Sequence, residues 1–324
     1  MKVVVIGGTG HIGTYLVPRL AAAGHDVVTI SRGRRSPYMN HAAWSEVEML
    51  QADREAEDRA GTFAHRVAAE RPDAVVDLLC FTSSSAEQLV AALAPLDCYL
   101  LHCGTIWVHG APVEVPVTEE TRRQPFGEYG TQKAAVEELL LGEARRGKLR
   151  STILHPGHIV GPGWPPINPA GNGNVKVFEL LARGEELALP NFGLETVHHV
   201  HADDVAQAFE KALAHPGLAS GEAFHVVSER ALTLKGYAEA VYRWFGQTPR
   251  LSFLPWETWA AGWSQSDADT TWEHIARSPS ISIDKAKNLL GYQPRYGSLE
   301  AVFEAVAWLV STGQIDIGDR KMSF

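Results

Sequence analysis

Cysteine is scarce in this chain, with three in 324 residues: Cys80, Cys98 and Cys103. That excludes a disulfide framework and points to a reducing compartment, with Cys80 and Cys103 as buried thiols in apolar, strand-like runs. Long apolar runs are missing too. None approaches the roughly 20 residues that a membrane-spanning helix needs. The N-terminus enters its first strand directly, without signal-peptide architecture, so a cytoplasmic location is expected. Positive charge is in deficit, with a formal net charge of −9. Nucleic-acid binding needs a basic face, so no nucleic-acid partner is expected. Internal repeats and low-complexity blocks are absent. What remains is 45% hydrophobic and 21% charged, the proportions of a globular protein able to bury a full core and divide into two lobes.

The informative stretch is the first thirteen residues. Lys2 to Ile6 is a β-branched run that reads as a buried parallel strand. Gly7-Gly8-Thr9-Gly10-His11-Ile12-Gly13 follows, and then Ile12, Leu16, Val17 and Leu20 recur at helical spacing. Strand, tight turn and helix in that order form a phosphate cradle. Gly7 and Gly10 let the backbone approach a pyrophosphate, Gly13 lets the helix pack close to the strand, and the helix N-terminus offers unpaired N–H groups. Gly7, Thr9, Gly10, His11, Ile12 and Gly13 are therefore candidate cofactor residues.

Strands are expected at Asp26–Ile30, Glu46–Gln51, Ala74–Leu79, Cys98–Cys103, Arg150–His155 and Glu222–Val227, with a strand-like run at Glu195–His201. Helices are expected at Asp58–Glu70, Ser84–Leu93, Phe126–Arg146, Val175–Arg183, Leu234–Phe245 and Ser298–Val310. The second strand ends in Ser31-Arg32-Gly33-Arg34-Arg35. An acid at this place binds the 2′-hydroxyl of NAD, whereas arginine accommodates the 2′-phosphate of NADP. NADP is accordingly favoured over NAD, through Ser31, Arg32 and Arg35. Asp53, after the third strand, is placed to accept from an adenine amino group. Cys80 and Phe81, at the end of the fourth, would run along the cofactor ribose.

Thr105 follows the fifth strand, where a hydroxyl can bond a substrate oxygen, and Trp107 stands beside it. Tyr129 and Lys133 lie four apart on one helix face. The ammonium is expected to lower the phenol pKa and make Tyr129 a general acid/base near neutral pH. His158 and the irregular loop carrying Asn168, Asn172 and Asn174, followed much later by Arg277, are candidate substrate contacts. His198, His199, His201 and Asp203 invite a metal reading. A polar strand lining a pocket explains them as well, so no metal is expected. Five tryptophans between Trp244 and Trp272 are read mainly as core. Ser282 is a candidate helix N-cap and Gly291 a helix stop, and the tail past Gly313 is expected to be loosely held.

These motifs resemble those of the extended short-chain dehydrogenase/reductases, the NAD(P)-dependent epimerase/dehydratase kind, over nearly the whole chain. The resemblance implies an α/β fold with a Rossmann-type doubly wound parallel sheet and a smaller mixed α/β substrate lobe. On it, residues 1–160 form the cofactor domain, with contributions from about 195–227, and residues 161–324 are mainly the substrate lobe. It implies Thr105, Tyr129 and Lys133 as the catalytic set and His155 and Gly157 near the cofactor. It also implies a possible homodimer. Two departures weaken transfer of nucleotide-sugar specificity: His155 replaces an arginine, and Val197-His198-His199 replaces Arg-Asp-Phe. Ile106-Trp107 after the catalytic threonine lacks the acid pair of sugar dehydratases, which disfavours dehydration. The expected activity is hydride transfer at a hydroxyl or carbonyl carbon of a sugar-like, possibly nucleotide-sugar, substrate. The alternatives are a dinucleotide-binding redox sensor and a relative of chloroplast stem-loop RNA-binding proteins.

Overall fold

The computed structural model describes residues 1–324. The chain runs β1 (Lys2–Ile6), α1 (Gly13–Ala22), β2 (Asp26–Ser31), β3 (Glu48–Gln51), α2 (Arg54–Arg59), α3 (Phe63–Ala69), β4 (Ala74–Asp77), α4 (Ser83–Leu93), β5 (Tyr99–Cys103), α5 (Glu128–Arg145), β6 (Arg150–Pro156) and β7 (His158–Val160). It continues through α6 (Lys176–Ala182), β8 (Leu187–Pro190), β9 (Thr196–Val197), β10 (His199–His201), α7 (Ala202–Ala214), α8 (Pro216–Ala219), β11 (Ala223–Val226), β12 (Leu232–Thr233) and α9 (Leu234–Trp244). It ends with β13 (Leu251–Leu254), α10 (Trp256–Ala260), α11 (Gln265–Ile275), α12 (Asp284–Leu290) and α13 (Ser298–Ser311). No helix is long and apolar enough to cross a membrane.

Seven parallel strands form one sheet in the order β3-β2-β1-β4-β5-β6-β11. Period-2 alternation divides each inner strand between two cores. Val3, Val5, Val76 and Leu101 face α1 and α7, while Val4, Ile6, Val75 and Leu100 face α3, α4 and α5. The order reverses between β1 and β4. Ligands of such sheets bind beyond the strand carboxyl ends at that switch point.

A separate core joins α6, α9 and α13 with Trp259 in the second lobe. The stacked Trp256, Trp259 and Trp263 belong to this packing. The chain returns to the sheet side twice. Once it supplies α7 and β11, with Arg19 on α1 bonded to Asp203 at 2.6 Å. Later Ile281 to Tyr292 packs into the core around α1 and α7.

Several local expectations need correction. The single helix over Asp58–Glu70 is two helices, separated at Gly61, whose φ of +70° favours glycine. The strand-like run Glu195–His201 is broken at His198, because β9 pairs antiparallel with β12 and β10 pairs parallel with β7. The tail is not loose: Ile315 and Ile317 are buried, and Ser323 N–H donates to the Trp244 carbonyl at 2.9 Å. The Ser282 hydroxyl accepts from Asp284 N–H at 3.2 Å, although Ile283 occupies the N-cap position of α12. Gly291 ends α12 in the left-handed conformation.

Candidate active site

The glycine turn opens into a cleft of about 1130 Å³ at the switch point. Gly7 has φ +88°, and a Cβ there would lie 2.7 Å from Leu79 Cγ. A Cβ on Gly13 would lie 2.3 Å from the Gly8 carbonyl oxygen, so α1 packs against the turn only because Gly13 has no side chain. Gly7, Thr9, Gly10, His11 and Ile12 line the cleft, while Gly13 lies behind it. This cradle fits a pyrophosphate: bare backbone, a helix N-terminus and no carboxylate within the turn. His11 stacks on Trp164 with ring centroids 5.2 Å apart, and it bonds the Tyr38 hydroxyl. Burial, reinforced by His201, pushes His11 down to about 3, so its ring is neutral.

Ser31, Arg32, Gly33, Arg34 and Arg35 form one rim. The three arginines are exposed, and no ion pair engages them. Arg54, by contrast, is committed to Asp58 at 3.2 Å and Asp77 at 2.6 Å. Asp53 lines the cleft, but one of its oxygens already caps α2 by accepting from Ala56 N–H at 3.2 Å. Only its other oxygen is left to meet a ligand in the cleft.

The other end of the cleft is aromatic, with Phe81 and Tyr129 partly exposed above a buried Lys133. Thr105, Trp107, Tyr129, Lys133, Phe81, Gly157 and His158 line it together. The Thr105 hydroxyl accepts from Trp107 N–H at 3.3 Å. Lys133 is buried, and its Nζ donates to the carbonyls of Cys80 at 2.8 Å and Cys103 at 2.7 Å. These bonds fix the ammonium at the ends of β4 and β5 and leave its third N–H free. The Cys80 side chain is buried, and its contribution is this carbonyl.

The expected effect of Lys133 on Tyr129 is not found. Lys133 Nζ lies 5.9 Å from the centre of the Tyr129 ring and closer, 4.7 Å, to that of Phe81. Although 42% of Tyr129 is open to the cleft, it sits against Phe81 and Trp107. Desolvation pushes its hydroxyl up to about 12, Cys103 adds to the rise, and Thr105 opposes it. Tyr129 is thus firmly protonated.

Four expected site residues lie elsewhere. His155 is fully buried behind the cleft with Nε2 2.9 Å from Glu137 Oε2. Asn168 is buried and spends its amide on Asn172 at 2.6 Å and the Asn174 carbonyl at 2.9 Å. Asn174 donates to Asp267 at 3.2 Å. These asparagines brace their own loop against α11. Arg277 is sandwiched between Trp107 and Phe126, 3.9 and 3.8 Å from the ring centres, and donates to the Phe126 carbonyl at 2.6 Å. It holds Trp107 in place without lining the cleft. His198, His199 and His201 bond Ser228, Ile167 and Asp203 separately and do not converge.

Arg34, Arg54, Asp58, Leu79, Ser85 and Trp164 also line the cleft. Arg54 had a signal in sequence, since it adjoins Asp53 at a strand end. Ser85 and Asp58 meet only across the fold, at 2.5 Å.

Comparison with known proteins agrees with this architecture. The model of the NAD dependent epimerase/dehydratase family matches residues 3–226. The chain is 29% identical over 323 residues to 2'-dehydrokanamycin reductase of Streptomyces kanamyceticus, covering 99% of this chain and 88% of that protein. It is 25% identical to the chloroplast stem-loop binding protein of 41 kDa b of Arabidopsis thaliana, covering 94% of this chain and 78% of that protein. The fold is shared with a UDP-glucose 4-epimerase of Thermotoga maritima solved with UDP-glucose, at TM-score 0.73 and 20% identity, covering 96% of this chain and 99% of that one.

Proposed function

The chain belongs to the NAD-dependent epimerase/dehydratase family, and on that footing we propose that it is an NADP(H)-dependent reductase of a ketone on a sugar-like substrate. The observation that carries this is the convergence of Tyr129, Thr105 and Lys133 in the cleft that the Gly7–Gly13 turn opens. Gly7, Thr9, Gly10, His11 and Ile12 hold the pyrophosphate. Arg32 and Arg35, exposed and free of ion pairs, take the 2′-phosphate, with Ser31 beside them. The bound nicotinamide supplies the hydride. Tyr129 donates its proton to the carbonyl oxygen, and Thr105 orients that oxygen. Lys133, tethered to the Cys80 and Cys103 carbonyls, offers its free N–H to the ribose.

Two observations favour reduction of a substrate without a nucleotide. Tyr129, pushed up to about 12, holds the proton that reduction of a carbonyl requires, whereas oxidation of a hydroxyl would need the phenolate. Arg277, Asn168 and Asn174 are engaged internally, and no residue after Trp164 lines the cleft. A diphosphate would find no cation on the substrate side other than Lys133. The similarity to 2'-dehydrokanamycin reductase supports the same direction. The test is NADPH oxidation over a panel of keto-sugars, with NADH in parallel. Turnover that prefers NADPH is expected. Tight NADPH binding with no turnover on any member would leave a cofactor-binding sensor instead. Product returned with inverted hydroxyl configuration and no net NADPH use would indicate an epimerase.

A further inference from the structure

Behind the cleft lies a second constellation that the proposed reduction does not use. His155 on β6 and His225 on β11 are register partners on neighbouring parallel strands, so their side chains share a sheet face. His109 joins them from the short turn of helix Ile106–His109 that follows Thr105. All three are buried, at 0%, 0% and 3% exposure in the order His155, His225, His109. One nitrogen from each lies within 4.8 Å of the other two.

The tautomers are informative. His225 Nδ1 lies 3.0 Å from the Ser282 carbonyl, which only an N–H satisfies. Its Nε2 is therefore a lone pair, and it faces His109 Nε2 at 2.8 Å. As a hydrogen bond, this contact takes the single N–H of a neutral His109. His109 Nδ1 and both nitrogens of His155 have no aligned partner in this buried space. Glu137 Oε2, 2.9 Å from His155 Nε2, is a carboxylate placed to orient that ring.

We propose that His109, His155 and His225 form a buried divalent-metal site of the zinc type, clipping the loop that carries Thr105 and Trp107 to the end of the sheet. Binding moves the single proton of His109 from Nε2 to Nδ1, so the ring stays neutral and no proton is lost. Both facing Nε2 lone pairs then go to the metal, while Nδ1–H of His225 stays on the Ser282 carbonyl. The Ser282 carbonyl behind His225 and the Glu137 carboxylate beside His155 are outer-shell partners of the kind that orient histidine ligands. Three imidazoles suit Zn²⁺, with water as the fourth ligand. Such a site is structural, because none of the three rings lines the cleft.

The test uses the full chain, produced with zinc supplementation and washed with a mild chelator. Zinc per chain is counted by mass spectrometry, and Co²⁺ replacement is read by tetrahedral ligand-field absorption. About one zinc per chain is expected, with a rise in unfolding temperature of at least about 3 °C over the metal-stripped protein. His109→Gln, on the loop, and His225→Gln, in the sheet, should each lose the metal and the Co²⁺ signature. His215→Gln, at an exposed histidine, should keep both. Wild-type protein that binds no more zinc than folded His109→Gln, before and after refolding with Zn²⁺, would overturn the proposal. Should His225→Gln fail to fold, His109→Gln alone decides.

Discussion

The two ends of the cleft solve recognition in opposite ways. At the open end Arg32, Arg34 and Arg35 stand exposed, offering full charges that solvent screens. At the aromatic end Lys133 is buried and bound to two carbonyls, and Tyr129 packs against Phe81 and Trp107 with part of its surface open to the cleft. An exposed charge can be removed without disturbing the fold, but its contribution is small and salt-dependent. A desolvated group acts strongly because water does not compete, and its neighbours are built around it. Affinity for one cofactor over the other should therefore lie at the arginine end, and turnover at the aromatic end.

The largest expected effect comes from Tyr129→Phe, which removes the proton donor and keeps the ring packing. Turnover should fall by about 10²–10⁴-fold, while NADPH binding, followed by fluorescence titration, should stay within about twofold. Unchanged turnover would remove Tyr129 from the chemistry and erase the contrast between the ends. Next is Gly13→Ala, at the turn that joins the two. Its Cβ would meet the Gly8 carbonyl oxygen at 2.3 Å. A loss of about 2–4 kcal/mol in denaturant unfolding is expected, with weakened binding of NADH and NADPH alike.

Acid should act on the buried parts and spare the arginine rim. Burial pushes His11, His109 and His199 down to about 3, and His198 and His274 down to about 4. A histidine depressed in the folded state binds its proton first in the unfolded chain. The stability it contributes is present above its unfolded value of about 6.5 and is lost as pH falls toward the folded value. Urea unfolding at pH 5 should accordingly show a loss of at least about 2 kcal/mol relative to pH 7.5. Equal midpoints at the two pH values would mean that these rings are not held neutral. The smallest effect belongs to Arg32→Ala. The KM for NADPH should rise about tenfold, equivalent to about 1.4 kcal/mol, while the KM for NADH stays unchanged. The NADPH difference should shrink at high salt, and an equal loss for both cofactors would place the arginine elsewhere than the 2′-phosphate.

Much of the fold is legible in the chain because its signals are local. The Lys2–Ile6 run, the glycine spacing and the helical face of Tyr129 and Lys133 each follow from a few neighbouring residues. The errors fall where distant segments meet. Asn168 and Asn174 have the composition of a binding loop, but a self-bracing loop has the same composition; only the approach of α11 distinguishes them. Arg277 looks like a free cation until Trp107 and Phe126 close over it. His155 reads as a strand-end residue near the cofactor, yet the pleat of β6 turns it away from the cleft and toward His225.

The sequence by itself determined the parallel sheet, the glycine turn and the placing of Tyr129 and Lys133 on one helix, because hydrophobic period, glycine and helical spacing act within a few residues. Only the tertiary structure decided that Tyr129 stays protonated, that Lys133 is tethered by carbonyls, and that three histidines far apart in sequence share one dry pocket. Desolvation and ring-to-ring distance depend on which surfaces are pressed together across the chain, and no local pattern carries that information.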